Sequence, residues 1–166
     1  NYWLDLEVRG NTDLSDLDRY LISIWLDCCG HLSEFFSKKA YAESVSFNKK
    51  IKYAFQPGVD LIHVYDFGTS SQTRIKLLDV REGRPLTKHP ISLMSRNLLP
   101  EYKCGVCGKP AGWICFDCFH ENNEWVTFCD EHRKGQPDHD EEYIDSIPNS
   151  PRLGMCGYDG PANPPY

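Results

Sequence analysis

Three pairs of cysteine and histidine residues constrain the fold of this chain more than any other feature. Each pair spans a two-residue gap, and the pairs are Cys104 with Cys107, Cys115 with Cys118, and Cys129 with His132. A Cys-x2-Cys turn puts two thiolates on one short loop, and a structural zinc ion needs four such donors. Six donors are too many for one tetrahedral ion and too few for two. A fourth pair is therefore expected nearby, and His139 and Cys156 are the candidates.

We predict that these pairs interleave along the chain in a cross-braced arrangement. The stretch between Cys107 and Cys115 is short for the first two pairs to fold back onto one ion. The first and third pairs would bind one zinc ion, and the second and fourth pairs a second ion. The predicted ligands are Cys104, Cys107, Cys129 and His132 for site 1, and Cys115, Cys118, His139 and Cys156 for site 2, with His120 as an alternative ligand.

Disulfide bonds, free buried thiols and iron are the alternatives to zinc for these cysteines. The recurring spacing and the histidine in the fourth position of a repeat favour a metal over disulfides. The knuckle Cys104-Gly-Val-Cys107-Gly also suits rubredoxin-like iron, but a histidine in each proposed site favours zinc. We therefore expect two Zn²⁺ ions, and at least one.

Length and charge divide the chain into two predicted domains. The 166 residues can form an α+β domain over residues 1–98 and a cysteine-rich zinc-binding module with an extended tail over 99–166. Residues 1–98 hold 13 Lys and Arg against 12 Asp and Glu, whereas residues 99–166 hold 5 against 12. Because nucleic-acid binding uses cationic contacts to phosphate, the acidic module is a poor candidate for it.

Hydropathy and thiol usage limit where the protein is expected to act. No apolar run approaches the roughly 18 residues that span a bilayer, so no membrane partner is expected. No charged-then-apolar leader is visible, and thiols arranged for metal are typical of a reducing compartment. The sequence therefore predicts a cytoplasmic protein. Its oligomeric state is not encoded in any pattern that we recognise.

The first domain alternates between helix and strand patterns. Residues 4–8 alternate as a strand does, and Asn11 or Thr12 could cap the helix that follows. The apolar stripe of that helix comprises Leu14, Leu17, Leu21, Ile24 and Cys28. Further strands are expected in 47–55, 59–65 and 73–80, with a hairpin turn at 66–71. The fold class is thus α+β, with a small antiparallel or mixed sheet, one main amphipathic helix and a cross-braced zinc module.

Two polar features of the first domain have both a structural and a functional interpretation. His31 follows the helix and is either a partly buried histidine bonded to a backbone carbonyl or part of a polar site with Asp66. The second feature is a basic cluster, which comprises Lys38, Lys39, Lys49, Lys50 and Lys52. These lysines are either solvated or bind an acidic or phosphate-bearing partner.

Four stretches together resemble the plasmid ORF-3-like family, also known as TnpR-type insertion-element passenger proteins. The stretches are Tyr-Trp-Leu-Asp-Leu-Glu-Val at 2–8, residues 17–35 with Cys-Cys-Gly-His, Val-Tyr-Asp-Phe-Gly-Thr-Ser at 64–70, and Asn-Ser-Pro-Arg-Leu-Gly-Met-Cys-Gly-Tyr at 149–158. The resemblance implies the family's α+β core and makes His31 and Asp66 candidate site residues. The cysteine-rich extension resembles a variant within the family, and Cys156 in the tail motif fits a ligand role. The resemblance brings no established reaction.

The favoured function is a non-catalytic adaptor in which structural zinc folds an acidic module that binds another protein with a basic surface. One alternative is a nucleic-acid-associated protein of a mobile element that uses the Lys38–Lys52 cluster. Another is an enzyme with a polar site at His31 and Asp66. Zinc-hydrolase and deaminase motifs such as H-E-x-x-H are absent from the sequence, which weakens the enzyme hypothesis.

Overall fold

The computed structural model describes residues 2–26, 29–122, 124–136, 138–156, 158 and 160. It is mixed α+β, with several small antiparallel sheets and few helices. The chain divides into two units between Asn97 and Leu98. We call them the N-terminal unit and the cysteine-rich unit. No helix in these described ranges is long and apolar enough to cross a membrane.

The N-terminal unit contains a two-stranded and a four-stranded antiparallel sheet. Its elements are β1 (Leu4–Val8), α1 (Leu14–Leu21), a π-helical turn (Ile22–Leu26), β2 (Ser33–Ser37), β3 (Glu43–Val45), α2 (Ile51–Ala54), β4 (Leu61–Tyr65), β5 (Ser71–Ile75) and β6 (Ile91–Arg96). Strand β1 pairs with β6, and the larger sheet has the order β3-β2-β4-β5. The tight β4–β5 hairpin has Tyr65 opposite Ser71, which confirms a turn after Tyr65. Strand β5 spans Ser71–Ile75, however, and not the predicted 73–80.

Helix α1 supplies much of the core of the N-terminal unit. Its leucines at 14, 17 and 21 are each at most 3% exposed, and the π-helical turn continues the face with buried Ile24. Burying each such side chain contributes about 1.5–3 kcal/mol. The helix begins after Asp13, whose backbone N–H donates to the Asp16 carboxylate at 3.4 Å. The predicted apolar stripe is confirmed up to Ile24, while Cys28 lies outside the described residues.

Two further local expectations for this unit were wrong. The N-cap of α1 is Asp13 rather than Asn11 or Thr12. Residues 51–54 form the short helix α2 instead of continuing a strand from 47. Ile51 and Ala54 are buried three residues apart, whereas Tyr53 is 61% exposed. The buried positions therefore follow a helical spacing that the apparent alternation of Ile51, Tyr53 and Phe55 concealed.

The cysteine-rich unit is built on short strands. Its elements are β7 (Tyr102–Lys103), β8 (Pro110–Ala111), β9 (Trp113–Cys115), α3 (Phe116–Asn122), β10 (Thr127–Phe128), a 3-10 turn (Glu141–Tyr143) and β11 (Ile144–Ser146). Strand β9 is central, with β10 and β11 on either side, and β7 pairs with β8 in a hairpin. A small apolar cluster forms around Ile114, with Phe116, Ile147 and Leu153 buried beside it. So small a core suits a unit that gains stability from bound metal.

The segment after β11 packs back onto helix α3. Gly154 has a φ of 79°, and a Cβ there would lie 2.7 Å from the Phe119 ring. Glycine is required at this position, because both the backbone conformation and the aromatic ring exclude a larger side chain. The tail motif is therefore part of the packed cysteine-rich unit.

Candidate metal centre

A hairpin presents the first two donors of site 1. Strands β7 and β8 flank the Cys104–Cys107 turn, and the backbone N–H of Cys104 donates to the Lys109 carbonyl at 2.8 Å. Gly108 has a φ of 71° and closes the turn by donating to the Cys104 carbonyl at 2.8 Å. Such a turn directs both thiols to the same side of the loop.

The other two donors follow strand β10. A turn after Phe128 brings the His132 N–H to the Cys129 carbonyl at 3.1 Å. The two loops are held together because the Gly105 N–H donates to the Thr127 carbonyl at 2.9 Å. The Thr127 hydroxyl also donates to the Lys103 carbonyl at 2.8 Å. The strand that carries one half of site 1 is thus hydrogen-bonded to the hairpin that carries the other half.

All four side chains of the predicted site 1 meet in the structure. Their donor atoms lie within 4.8 Å of one another and belong to Cys104, Cys107, Cys129 and His132. The shorter separations are 3.8 Å between the Cys107 and Cys129 sulfurs, 3.7 Å from Cys104 Sγ to His132 Nδ1, and 3.3 Å from Cys129 Sγ to His132 Nδ1. A tetrahedron with metal–sulfur bonds of about 2.3 Å has edges of about 3.8 Å between sulfurs and about 3.6 Å between sulfur and nitrogen. The cluster therefore has the size that one tetrahedral ion needs.

The pKa values of two thiols in site 1 are shifted in opposite directions. Burial raises the pKa of Cys104, but backbone N–H groups of Cys129, Cys107 and Val106 lower it more, and it falls from 9.0 to about 6. The Lys109 N–H lowers the pKa of Cys107, but burial and the two neighbouring thiols raise it more. A first thiolate is thus stabilised by the backbone, whereas a second needs a cation beside it.

Charged side chains lie beside the thiols of site 1. The Lys109 ammonium lies 2.9 Å from the Glu131 carboxylate, which joins the two ligand loops by an ion pair. Each group favours the charged form of the other, so the pKa of Lys109 is raised and that of Glu131 is lowered. Near the same loop, the Arg133 guanidinium stacks 3.9 Å above the Trp113 ring, whose N–H donates to Asp130 at 2.7 Å.

Site 2 collects three of its four predicted donors. Cys115 ends β9, Cys118 lies in α3, and His139 precedes the 3-10 turn; their donor atoms lie within 4.8 Å of one another. Cys118 Sγ is 3.0 Å from His139 Nδ1, and the Phe128 ring packs edge-on against the imidazole. Burial raises the pKa of Cys118 to about 11, and the adjacent Cys115 thiol contributes to the same shift. A bound cation would remove this cost of ionising Cys118.

The two predicted candidates for the fourth ligand of site 2 lie apart from this cluster. Cys156 is exposed, with its Sγ 3.6 Å from the Arg152 guanidinium. His120 is exposed on α3 and contacts the Phe119 ring. Neither belongs to the donor group formed by Cys115, Cys118 and His139. The identity of the fourth ligand stays a prediction.

His31 and Asp66, the weaker candidates of the N-terminal unit, are adjacent in the structure. His31 Nε2 lies 3.5 Å from Asp66 Oδ2, and the Asp66 side chain is only 7% exposed. The thiol of Cys29 lies 2.9 Å from the same ring nitrogen. Sequence reasoning missed Cys29, because only a Cys-x-His spacing marks it and that spacing is shorter than the usual zinc knuckle.

The lysine cluster is only partly available for an anionic partner. Lys50 forms an ion pair with Asp13 at 2.8 Å, and Lys52 lies over the Tyr53 ring. Lys38 and Lys49 are exposed and line one groove of about 400 Å³ beside β3. Within the ranges that the structure describes, neither of these two lysines forms an ion pair.

Comparisons of the chain with protein-family models, with curated proteins and with solved structures found no match. The resemblance to the plasmid ORF-3-like family therefore stays a prediction. Function has to be inferred from the geometry of the chain itself.

Proposed function

We propose that the protein is a non-catalytic adaptor whose cysteine-rich unit is folded by two structural zinc ions and binds another protein. One observation supports this most directly, namely that site 1 offers four protein donors at the separations of a closed tetrahedron. A catalytic zinc ion usually has three protein ligands and keeps one position for water. Four protein ligands leave no such position, so the role that fits site 1 is structural.

Zinc is the metal that this donor set suits best. Site 1 combines three thiolates with one imidazole, and site 2 contributes two thiolates and an imidazole. Soft thiolates exclude magnesium and calcium, while a histidine in each site favours zinc over a four-sulfur iron centre. The Cys107 and Cys129 sulfurs are 3.8 Å apart, far from the roughly 2.05 Å of a disulfide.

The charge of the cysteine-rich unit supports a basic protein partner. An exposed acidic run follows the third ligand pair and comprises Asp138, Asp140, Glu141 and Glu142. Trp125, which is 49% exposed, packs against Phe119 on the same unit. Acidic side chains steer a cationic partner towards the surface, and an exposed indole supplies apolar contact area.

Metal removal tests the structural part of this proposal. The full chain is treated with a chelator and near-ultraviolet circular dichroism is recorded, to which Trp113 and Trp125 contribute beside Trp3 and the buried Trp25 of the N-terminal unit. We expect the part of the aromatic signal that comes from the cysteine-rich unit to be lost without metal and to return when a zinc salt is added back, because metal binding free energy is folding free energy here. An aromatic signal that is unchanged in metal-free protein would overturn a structural role.

Peptide binding tests the partner class. Fluorescent peptides rich in lysine and arginine are compared with peptides of the same length in which glutamate replaces the basic residues. We expect only the basic peptides to bind, with affinity that falls as salt rises. The combined substitution Asp138→Asn and Glu142→Gln should weaken binding, whereas Asp79→Asn in the N-terminal unit should not. Equal binding of basic and acidic peptides would contradict the proposal.

A second candidate function is supported by the groove that Lys38 and Lys49 share. Two exposed ammonium groups in one concavity could bind phosphate groups of a nucleic acid. A salt titration of DNA and RNA binding tests this, with Lys38→Gln and Lys49→Gln combined and Lys88→Gln as the control. Binding that is absent at low salt would eliminate this candidate.

A further inference from the structure

We propose that Cys29, His31 and Asp66 form a third metal-binding site, which lies in the N-terminal unit and takes a zinc-like divalent cation. A thiol and a carboxylate each lie close to one ring nitrogen of His31. Cys29 Sγ lies 2.9 Å from His31 Nε2, and Asp66 Oδ2 lies 3.5 Å from the same nitrogen. Thiolate, imidazole and carboxylate are all established zinc ligands. This site shares no residue with site 1 and does not rest on the adaptor function.

The backbone fixes the Asp66 carboxylate in place. Asp66 directly follows β4 with a φ of 62°, a conformation that aspartate tolerates when its side chain bonds locally. Its Oδ1 accepts the N–H groups of Gly68 at 2.9 Å and Thr69 at 3.2 Å. The Asp66 N–H donates to the Leu32 carbonyl at 2.9 Å. The turn therefore fixes the orientation of the Asp66 carboxylate, including the Oδ2 atom that faces His31.

The imidazole of His31 is positioned by the same strand. The His31 N–H donates to the Tyr65 hydroxyl at 3.2 Å, and the two rings meet edge to face at 5.7 Å between centroids. Tyr65 is fully buried and therefore rigid. The side chain of His31 is itself 31% exposed and Cys29 is exposed, so an ion can reach the donors from solvent.

The geometry suits metal coordination better than a catalytic triad. In a cysteine or serine triad the histidine uses one ring nitrogen for the nucleophile and the other for the carboxylate. Here the thiol and the carboxylate both face Nε2. Donor atoms that bind one ion lie next to one another, as Nε2 does with each of these two groups. In a tetrahedral zinc site the distance from a nitrogen ligand to an oxygen or sulfur ligand is about 3.3–3.6 Å. The ion would fit once the 2.9 Å between Cys29 Sγ and His31 Nε2 widens into this range.

Metal counting on the full chain tests this site. We expect His31→Ala and Cys29→Ser each to bind one equivalent of zinc fewer than the unsubstituted protein after dialysis against a buffer of defined free zinc. His89→Ala, which changes an exposed histidine of the same unit, should keep the full content. Asp66→Asn should keep the local turn and lower the affinity of that one equivalent by at least about tenfold, because the carboxylate charge is lost. Unchanged zinc content in both His31→Ala and Cys29→Ser would overturn the proposal.

Thiol protection provides a second readout that does not depend on stoichiometry. Iodoacetamide labelling of the Cys29 peptide is followed by mass spectrometry with and without added zinc. We expect zinc to slow labelling of Cys29 at least about tenfold in the unsubstituted protein and to have no effect in the His31→Ala variant. Labelling of Cys29 at the same rate with and without zinc would overturn the metal site and leave a reactive thiol beside a histidine, as an enzyme would use it.

Discussion

The sulfurs of Cys107 and Cys129 lie 3.8 Å apart although 22 positions separate them in the sequence. Between them the chain passes through Cys115 and Cys118, which join His139 in the other cluster. The donors of the two clusters therefore alternate along the sequence. Strand β9 links them, because it ends at Cys115 and pairs with β10, which precedes Cys129. Loss of metal from one cluster should consequently disturb the strands that support the other.

Replacing His132 by alanine should disable site 1. We expect the loss of one zinc equivalent and a fall of more than about 100-fold in the affinity of that site. Even the loss of a group that only hydrogen-bonds a metal ligand lowers metal affinity about 10–100-fold. The measurement is competition with a chromophoric chelator at fixed pH. His89→Ala is the control, because His89 is an exposed histidine outside both donor clusters.

The same assay identifies the fourth ligand of site 2. His139→Ala should lose one equivalent. If Cys156 completes the site, Cys156→Ser should also lose one, and combining the two substitutions should cause no further loss. Loss of an equivalent in His120→Ala instead would assign the position to His120.

Unaltered zinc binding in His132→Ala would contradict the ligand set of site 1.

Replacing Gly154 by alanine should destabilise the cysteine-rich unit. A Cβ at Gly154 would lie 2.7 Å from two atoms of the Phe119 ring, and the φ of 79° disfavours any side chain. Overpacking of this kind costs about 1–3 kcal/mol, and the backbone strain adds to it. Thermal unfolding of the zinc-loaded protein measures the effect. Gly112→Ala is the control, because a Cβ at Gly112 would meet nothing within 4 Å and the φ of this residue is not positive; equal midpoints for both variants would refute the expected clash.

Replacing Asp18 by alanine should destabilise the N-terminal unit by about 2–4 kcal/mol. His63 is fully buried, and its Nε2 lies 2.7 Å from Asp18 Oδ1, which also accepts the Ser33 hydroxyl at 2.6 Å. Removing the carboxylate leaves a buried imidazole and a hydroxyl without this partner, which costs the full desolvation of the groups. Chemical denaturation measures the change. Ser33→Ala should cost clearly less, and similar losses for the two variants would contradict the central role of Asp18.

Replacing Glu131 by glutamine should lower stability by an amount that does not vary between about pH 5.5 and 8. The folded pKa of Glu131 is lowered from 4.5 by Lys109, so its contribution is fully present above pH 4.5 and is lost only as the pH falls through the folded pKa. Lys109 has a pKa raised above 10.5 and stays charged throughout this range. Thermal midpoints of both proteins across the range measure the difference. A difference that shrinks steadily towards the acidic end of the range would refute this assignment, and Glu101→Gln serves as a control.

The grouping of the metal donors could be predicted because it depends on chemistry and local spacing. Few side chains bind a soft cation, and a two-residue gap fixes how two donors can point. The interleaving followed from the short stretch between Cys107 and Cys115. The α+β class and strand β1 were similarly accessible, because hydrophobic periodicity over a whole element reports one buried face.

Features that depend on tertiary contacts could not be predicted. Helix α2 is only four residues long, and whether Tyr53 or Ala54 faces the core is decided by distant neighbours. Strand β6 exists because β1 pairs with it from the far end of the unit, and its own sequence is weakly patterned. Cys29 joins His31 through a single-residue gap, and Asp66 reaches them only through the pairing of β2 with β4.

The alternation of donors also sets the order in which the unit can mature on the ribosome. Site 1 needs His132, which lies 28 positions after Cys104, so the first two thiols leave the exit tunnel without their partners. By the time His132 emerges, Cys115 and Cys118 are already exposed and compete for the same ion. Zinc that binds before His132 emerges can therefore be held by the first four thiols together. Under the proposed function, such a chain reaches the native pairing only by exchanging ligands once His132 is available.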